Sequence, residues 1–437
     1  MPGKHEPLEE KCNTHTAAGR PETEANRSLN PPTDIGRDAD RCVMCGLCLP
    51  HCPTYRLYRD EAESPRGRIA LMAALAAEEL EADAEVVGHL DRCLGCRACE
   101  RVCPSDVPYG RLYRTARAEL FPASPEAAAG VARRLLTGRG GRLLRGAARL
   151  YQQSGLQSLL RPRLRGQWGR LERLLPDLPA APGLPEYQQG TAETSNWVGL
   201  FTGCTGALLD TATLEAATRL LNRLGYGVWI PPEQGCCGAL DLAAGAVPAA
   251  RAKAVSNAAA FARKSVTAVV GVASGCTATL SEAGEWAADV AGAPALAART
   301  RDIVAFLDET DWPVGLAPTP LPERVAVHEP CSLRNVLGGE GATARLLRHI
   351  PALEPVALPA GCCGAGGTHV LSHPEAADAL RAETVEAVAR TGATTVVSAN
   401  IGCALHIGAG LREAGLDCEV VHPVVLLERQ LQVPSGK

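Results

Sequence analysis

The chain of 437 residues has a formal net charge of −4 and 46% hydrophobic residues, enough for a large core and too long for one small domain. Aromatics make up only 4%, so Leu, Ala and Val must fill that core, and no run approaches the about eighteen apolar residues of a bilayer span. Eighteen cysteines would suit a disulfide scaffold, but the start Met1-Pro-Gly-Lys-His-Glu has no apolar segment and the cysteines fall in metal-type groups, which points to a reducing cytoplasm.

Residues 1–36 carry prolines 2, 7, 21, 31 and 32 among polar residues and read as a disordered tail, with Cys12 and His15 incidental to it. The expected first domain, 37–118, is built on Cys42-Val-Met-Cys45-Gly-Leu-Cys48-Leu-Pro-His-Cys52-Pro53 and its echo Cys93-Leu-Gly-Cys96-Arg-Ala-Cys99-Glu-Arg-Val-Cys103-Pro104. Each copy is C-x2-C-x2-C-x3-C-P, the run that bacterial ferredoxins use for [4Fe–4S] clusters. Three cysteines spaced by two let one short loop wrap three corners of a cube. The fourth, followed by proline, is delivered to the other cube. Cys42, Cys45, Cys48 and Cys103 are therefore assigned to one cluster, and Cys93, Cys96, Cys99 and Cys52 to the second. Zinc also favours paired C-x2-C, but it has no use for the third cysteine or the trailing proline.

Between the motifs, Ser64 is a helix N-cap with Pro65 at the first helical position, and an Ala/Leu-rich helix is expected to about Leu80. Arg66 and Arg68 stand at the helix end that favours anions, so they are expected either in solvent or facing a cluster or partner. Residues 119–195 are expected to be an Arg-rich helical segment and a Pro-rich linker. Residues 111–175 contain fourteen arginines, no lysine and only Glu119, Glu126 and Glu172 in opposition. Leu164, Trp168, Leu171 and Leu175 recur at helical spacing. Such a helix can pack on its own domain, dock on an acidic partner, or lie peripherally on the inner face of the cell membrane. Aromatics for base stacking are nearly absent, so nucleic acid is not expected. Prolines 176, 179, 182 and 185 form the linker.

The remainder is an internal duplication, expected as modules 196–310 and 322–430. Cys204, Cys236, Cys237 and Cys276 of the first are matched by Cys331, Cys362, Cys363 and Cys403 of the second, offset by 126 or 127 residues. Trp197–Phe201, Tyr226–Ile230 and Ala268–Val272 read as strands, as do Arg324–Val327, Pro355–Leu358 and Thr394–Val397, with helices such as Pro248–Lys264 and Pro374–Arg390 between them. The fold class is thus a multidomain α+β and α/β chain. A helical 2×[4Fe–4S] ferredoxin-type domain precedes two duplicated parallel α/β cysteine-rich modules, each with a Cys-Cys-Gly element. Every cysteine follows a strand, so four in each module should gather at the carboxyl edge of a parallel sheet, where such sheets bind ligands. One or two further Fe–S clusters, or zinc, are expected there.

These features resemble the iron–sulfur subunit of bacterial glycolate oxidase (glycolate dehydrogenase), within a wider group that includes heterodisulfide-reductase-type and lactate-utilisation proteins. The resemblance covers about residues 38–430 and rests on both cysteine motifs, Ser64-Pro-Arg-Gly-Arg-Ile69, His89-Leu-Asp-Arg-Cys93, both Cys-Cys-Gly elements, and Asn400-Ile-Gly-Cys403-Ala-Leu-His406. It implies an electron-transfer subunit of an oxidoreductase. FAD-binding partner subunits would oxidise the 2-hydroxy acid, and electrons would pass to a quinone or another acceptor. No catalytic residue is expected on this chain. The heterodisulfide-reductase branch has a fifth cysteine per module where this chain has Thr279 and His406, and His406 could serve as a ligand. Ser332 follows Cys331 where many relatives carry His. A zinc-stabilised scaffold without electron traffic is the alternative from another class.

Overall fold

The computed structural model describes residues 34–121, 141–180, 184–188 and 196–432. Cys12, His15, Arg133, Arg134, Arg139 and Pro182 lie outside the described residues. Among the described residues no helix is long and apolar enough to cross a membrane.

The amino-terminal part is helical, with helices at Asp34–Ala39, Pro53–Tyr58, Pro65–Ala76, Ala84–Asp91 and Tyr109–Glu119. Its core holds Ile35, Met72, Leu90, Leu112 and Ala116, with Cys42, Cys93, Cys99 and Cys103 packed against it. Ser64 caps as its sequence implies, its Oγ accepting from Gly67 N at 2.9 Å. The helix ends at Ala76, earlier than Leu80. Glu78 beyond it is left-handed at φ 58, a conformation that closes a helix.

Two parallel sheets follow. The first contains β1 (Tyr187–Gln188), β2 (Trp197–Phe201), β3 (Gly227–Trp229), β4 (Ala268–Gly271) and β5 (Thr300–Asp302), in the order β1-β3-β2-β4-β5 with only β1 antiparallel. The second contains β6 (Arg324–His328), β7 (Glu354–Ala357), β8 (Thr395–Ser398) and β9 (Glu419–Val421), in the order β7-β6-β8-β9 and wholly parallel. The strand order β3-β2-β4-β5 of one sheet is thus that of β7-β6-β8-β9 in the other, the structural face of the duplication.

The modules share one core. Val198, Leu200, Leu214 and Leu220 of the first are buried in the same cluster as Val325, Leu346 and Leu427 of the second. The helix Pro423–Gln432 returns to the helix Thr211–Arg223, where Arg219 Nε meets Glu428 Oε1 at 2.8 Å. The carboxyl edges of the sheets therefore face each other: Ser274 N donates to Ala399 O at 3.0 Å, and the Ser274 and Ser332 hydroxyls lie 2.7 Å apart.

The arginine-rich segment packs on its own chain. Helix Gly141–Gln153 lies on Cys204–Leu209, with Arg145 donating to Leu208 O at 2.5 Å. Helix Gly166–Leu174 lies on the second module, with Leu171 and Leu174 against Val370, Leu371 and Ala377. Arg170 pairs with Asp378 at 2.9 Å, Arg114 with Glu282 at 2.9 Å and Arg161 with Glu172 at 2.8 Å. Trp168 belongs to the expected apolar stripe but is exposed, because the buried face runs through Leu171 and Leu174.

Candidate metal centres

The two cysteine loops have one backbone design. Met44 and Gly46 in the first, and Gly95 and Arg97 in the second, are left-handed at φ 56, 81, 61 and 56. They occupy the same two places after Cys42 and Cys93, so both loops curl alike and turn successive backbone amides inward, a concavity that favours a bound anion. Cys42, Cys45, Cys48 and Cys103 line one concavity, walled by Ile69, Val107 and Tyr109, with Cys99 on its far side. Burial pushes the Cys48 thiol up to about 11. Cys96 and Cys99 are driven higher still, first by burial and then by their neighbours, among them Cys93 and Cys52. Buried thiols this close need cationic charge to ionise, which a metal cluster supplies. All the described cysteines are free, so disulfides do not consume them. The donor set and the curled loops fit Fe–S clusters.

Arg66 and Arg68 face the loops. Arg66 donates to Met44 O at 2.8 Å and pairs with Glu61 at 2.5 Å, fixing the first loop to the helix. Arg68 is only 1% exposed and donates to Thr54 Oγ1 at 2.9 Å, His89 O at 2.8 Å and Glu63 Oε2 at 2.5 Å. Burial works against its charge, but Cys93, Tyr109, Cys52 and Glu63 outweigh that and hold it protonated. Glu63, itself buried, also takes His89 Nδ1 at 2.8 Å and Arg92. This ionic knot stands beside Cys52, whose Sγ lies 3.3 Å from Thr54 Oγ1. Arg68, His89 and Arg92 stand in stretches that the sequence singles out, whereas Glu63 is an ordinary surface-type residue there.

In the modules, the cysteines fall just past the strands. Cys204 begins the helix after β2, Cys276 lies in Ser274–Ser281 after β4, and Cys236–Cys237 sit in the turn after β3. The equivalents are Cys331 after β6, Cys403 in Ile401–Glu413 after β8, and Cys362–Cys363 after β7. Gly238 and Gly364 are left-handed at φ 90 and 80, and a Cβ on Gly364 would stand 2.4 Å from Ala377 O. No other residue can end the Cys-Cys element there. Asn257 braces the first turn, accepting from Gly235 N and donating to Cys236 O, both at 2.9 Å.

The Sγ atoms of Cys204 and Cys236 lie 3.5 Å apart, and those of Cys363 and Cys403 lie 2.8 Å apart. Hydrogen bonds from Cys204 and Cys237, with Gly238 N–H and Lys253 nearby, pull Cys236 down to about 3. In the second module Cys331 is pushed up by its hydrogen bond to Cys362 and by burial. All eight module cysteines border a single cavity of about 640 Å³, between the sheet edges. Leu144, Leu171 and Leu174 of the linker helices, with Leu178 beyond them, roof it, and Leu94, Gly95 and Arg97 of the second ferredoxin-type loop enter its wall.

His406 is not among these thiols. Its Nε2 donates to Ala377 O at 3.2 Å, and it borders a separate cavity with Arg170, Arg381 and Glu413. The expectation that it could replace the missing fifth cysteine is corrected: the ring leaves Ile401–Glu413 toward helix Pro374–Thr391. Instead His328, unremarked in the sequence, stands with Cys363 and Cys403, one ligand atom of each lying within 4.8 Å of the others. Its place as the last residue of β6, one turn before Cys331, was the available signal.

Five similarities bear on this arrangement. Residues 38–107 match the 4Fe-4S dicluster domain family, and residues 198–281 and 325–408 each match the Cysteine-rich domain family. The "Probable glycolate oxidase iron-sulfur subunit" of Bacillus subtilis (strain 168) is 34% identical over 88% of this chain and 92% of its own length. The chain belongs to the glycolate oxidase iron–sulfur subunit family. The family's "Glycolate oxidase iron-sulfur subunit" of Escherichia coli (strain K12) is 31% identical over 90% of this chain and 94% of its own length. "Lactate utilization protein A" of Geobacillus kaustophilus (strain HTA426) is 32% identical and matches 52% of this chain with 95% of its own length. As in the family, the chain carries two [4Fe–4S] clusters in its dicluster domain. Membership makes it an oxidoreductase subunit with partner subunits.

Proposed function

We propose that this chain is the electron-transfer subunit of a flavin-dependent dehydrogenase of glycolate or a similar 2-hydroxy acid. Flavin is held by a partner subunit, and the electrons go on to a quinone or another acceptor. Bound clusters supply one-electron steps, and the protein places them and sets their surroundings. Cys42, Cys45, Cys48 and Cys103 hold the outer [4Fe–4S] cluster, and Cys93, Cys96, Cys99 and Cys52 the inner one. Cys204, Cys236, Cys237 and Cys276, and Cys331, Cys362, Cys363 and Cys403, hold further metal centres in the modules.

The carrying observation is the succession of thiols from the ferredoxin-type loops to the modules. Cys45 is exposed, Cys99 borders the same concavity, half-buried Cys96 lies within electrostatic reach of Cys331, and Cys362 in turn feels Cys96. Exposed Val43, Met44 and Leu47 surround Cys45 and give a redox partner an apolar contact at the outer end. At the inner end the cavity is partly roofed and its lining is largely apolar.

The test is anaerobic purification of the native complex, with iron, sulfide and flavin analysis and glycolate-dependent dye reduction. A co-purifying flavoprotein active on glycolate or lactate is expected, and Cys45→Ser should abolish one cluster signal together with dye reduction. Activity surviving Cys45→Ser, or zinc without acid-labile sulfide, would sink the relay.

A further inference from the structure

The two modules share a strand order, and one of their differences lies beside the thiols. In the first sheet the β2–β4 register ends on Phe201 opposite Gly271; in the second the β6–β8 register ends on His328 opposite Ser398. Phe201 packs among Cys236, Cys237, Cys204 and Cys276. His328 takes the same place beside Cys363 and Cys403, buried, with a ring nitrogen and both sulfurs mutually within 4.8 Å. The partner residue changes with it. Ser398 Oγ lies 3.1 Å from His328 Nδ1 and fixes the ring plane, whereas a side chain on Gly271 would run into Thr277 Oγ1 at 2.4 Å. A His held through Nδ1 by an outer group and set beside sulfur ligands is the arrangement of metal-bound imidazole.

We propose that His328 Nε2 is a nitrogen ligand of the iron centre in the second module, beside Cys331, Cys362, Cys363 and Cys403, while the first module offers sulfur alone. This rests on the reading that the modules hold iron. An added neutral imidazole brings no further negative charge, whereas a thiolate at the same place would lower the potential of an Fe–S centre.

The test uses the full chain, purified anaerobically with its partners after labelling with [15N]histidine, and pulsed EPR of the oxidised and dithionite-reduced protein. A strongly coupled nitrogen that changes from 14N to 15N with the label is expected. It should vanish in His328→Phe, which copies the first module, and persist in His406→Asn, while the dicluster signals stay. His328→Cys should restore iron and lower that centre's midpoint potential. Iron beyond the about eight atoms of two [4Fe–4S] clusters, without histidine coupling, overturns the ligand but not the iron-bearing modules. Iron stopping at about eight overturns both. Coupling that follows His406 and not His328 also overturns the assignment. The labelled wild-type protein decides the first point even if a variant fails to fold.

Discussion

Asn335 of the second module donates its side-chain amide to the carbonyl oxygen of Cys96 at 2.7 Å. It stands on the π-helical turn Ser332–Val336 that follows Cys331, so one residue ties the inner ferredoxin-type loop to a module thiol. Asn335→Ala removes one hydrogen bond, a loss of about 1 kcal/mol. The fold and iron content should survive. Stopped-flow measurement should show slower electron passage between the dicluster domain and the modules; unchanged kinetics with intact iron would deny Asn335 this positioning role.

The knot of Glu63, Arg68, His89 and Arg92 makes a different prediction. Glu63→Gln leaves Arg68 buried without its carboxylate, and such a break costs about 3–5 kcal/mol. The expected result is a large fall in thermal stability, with the inner cluster lost before the outer one. Iron analysis during stepwise heating checks the order. Glu61→Gln touches a largely exposed carboxylate that pairs with Arg66 and accepts from Ser64 Oγ, and should cost about 1 kcal/mol.

The roof over the cysteine cavity depends on apolar contact more than on its charges. Leu171→Ala should lose about 2 kcal/mol and let alkylating reagents reach the module cysteines of the metal-free protein faster. Arg170→Ala breaks a partly exposed pair with Asp378 and should cost within about 1 kcal/mol. Mass-spectrometric alkylation rates separate the two.

Asp302 gives a pH-dependent outcome. Burial raises its pKa to about 7; its Oδ1 accepts from Val304 N at 2.9 Å, while Oδ2 has no partner. The folded value lies above the unfolded value of about 4, so its contribution is fully present below about pH 4 and lost as pH rises through about 7. Asp302→Asn keeps the cap without the charge. It should match the parent at about pH 4 and be more stable at about pH 8 in denaturant titrations; equal stability at both values would refute the buried proton.

Reading the chain alone located what depends on local spacing. The two C-x2-C-x2-C-x3-C-P loops, the Ser64 cap and the strands before each module cysteine are short-range patterns, and the sheets appear at those strands. Long-range partners were illegible. Arg68 looked like a misplaced first-turn charge because Glu63 and His89 reach it only through the fold. The arginines near the linker looked like a basic surface because Asp378 and Glu282 lie far along the chain. His406 has the sequence spacing of a ligand, but helix phase turns it to Ala377, and His328 holds the place through a strand register that no local pattern displays.

The return of helix Pro423–Gln432 onto Thr211–Arg223 has a consequence for biogenesis. The first module emerges from the ribosome long before the helix that covers it, so its apolar face around Leu214 and Leu220 stays open through synthesis of the second. Metal delivery to the inner cavity must then either follow chain release or wait on a chaperone that shields that face.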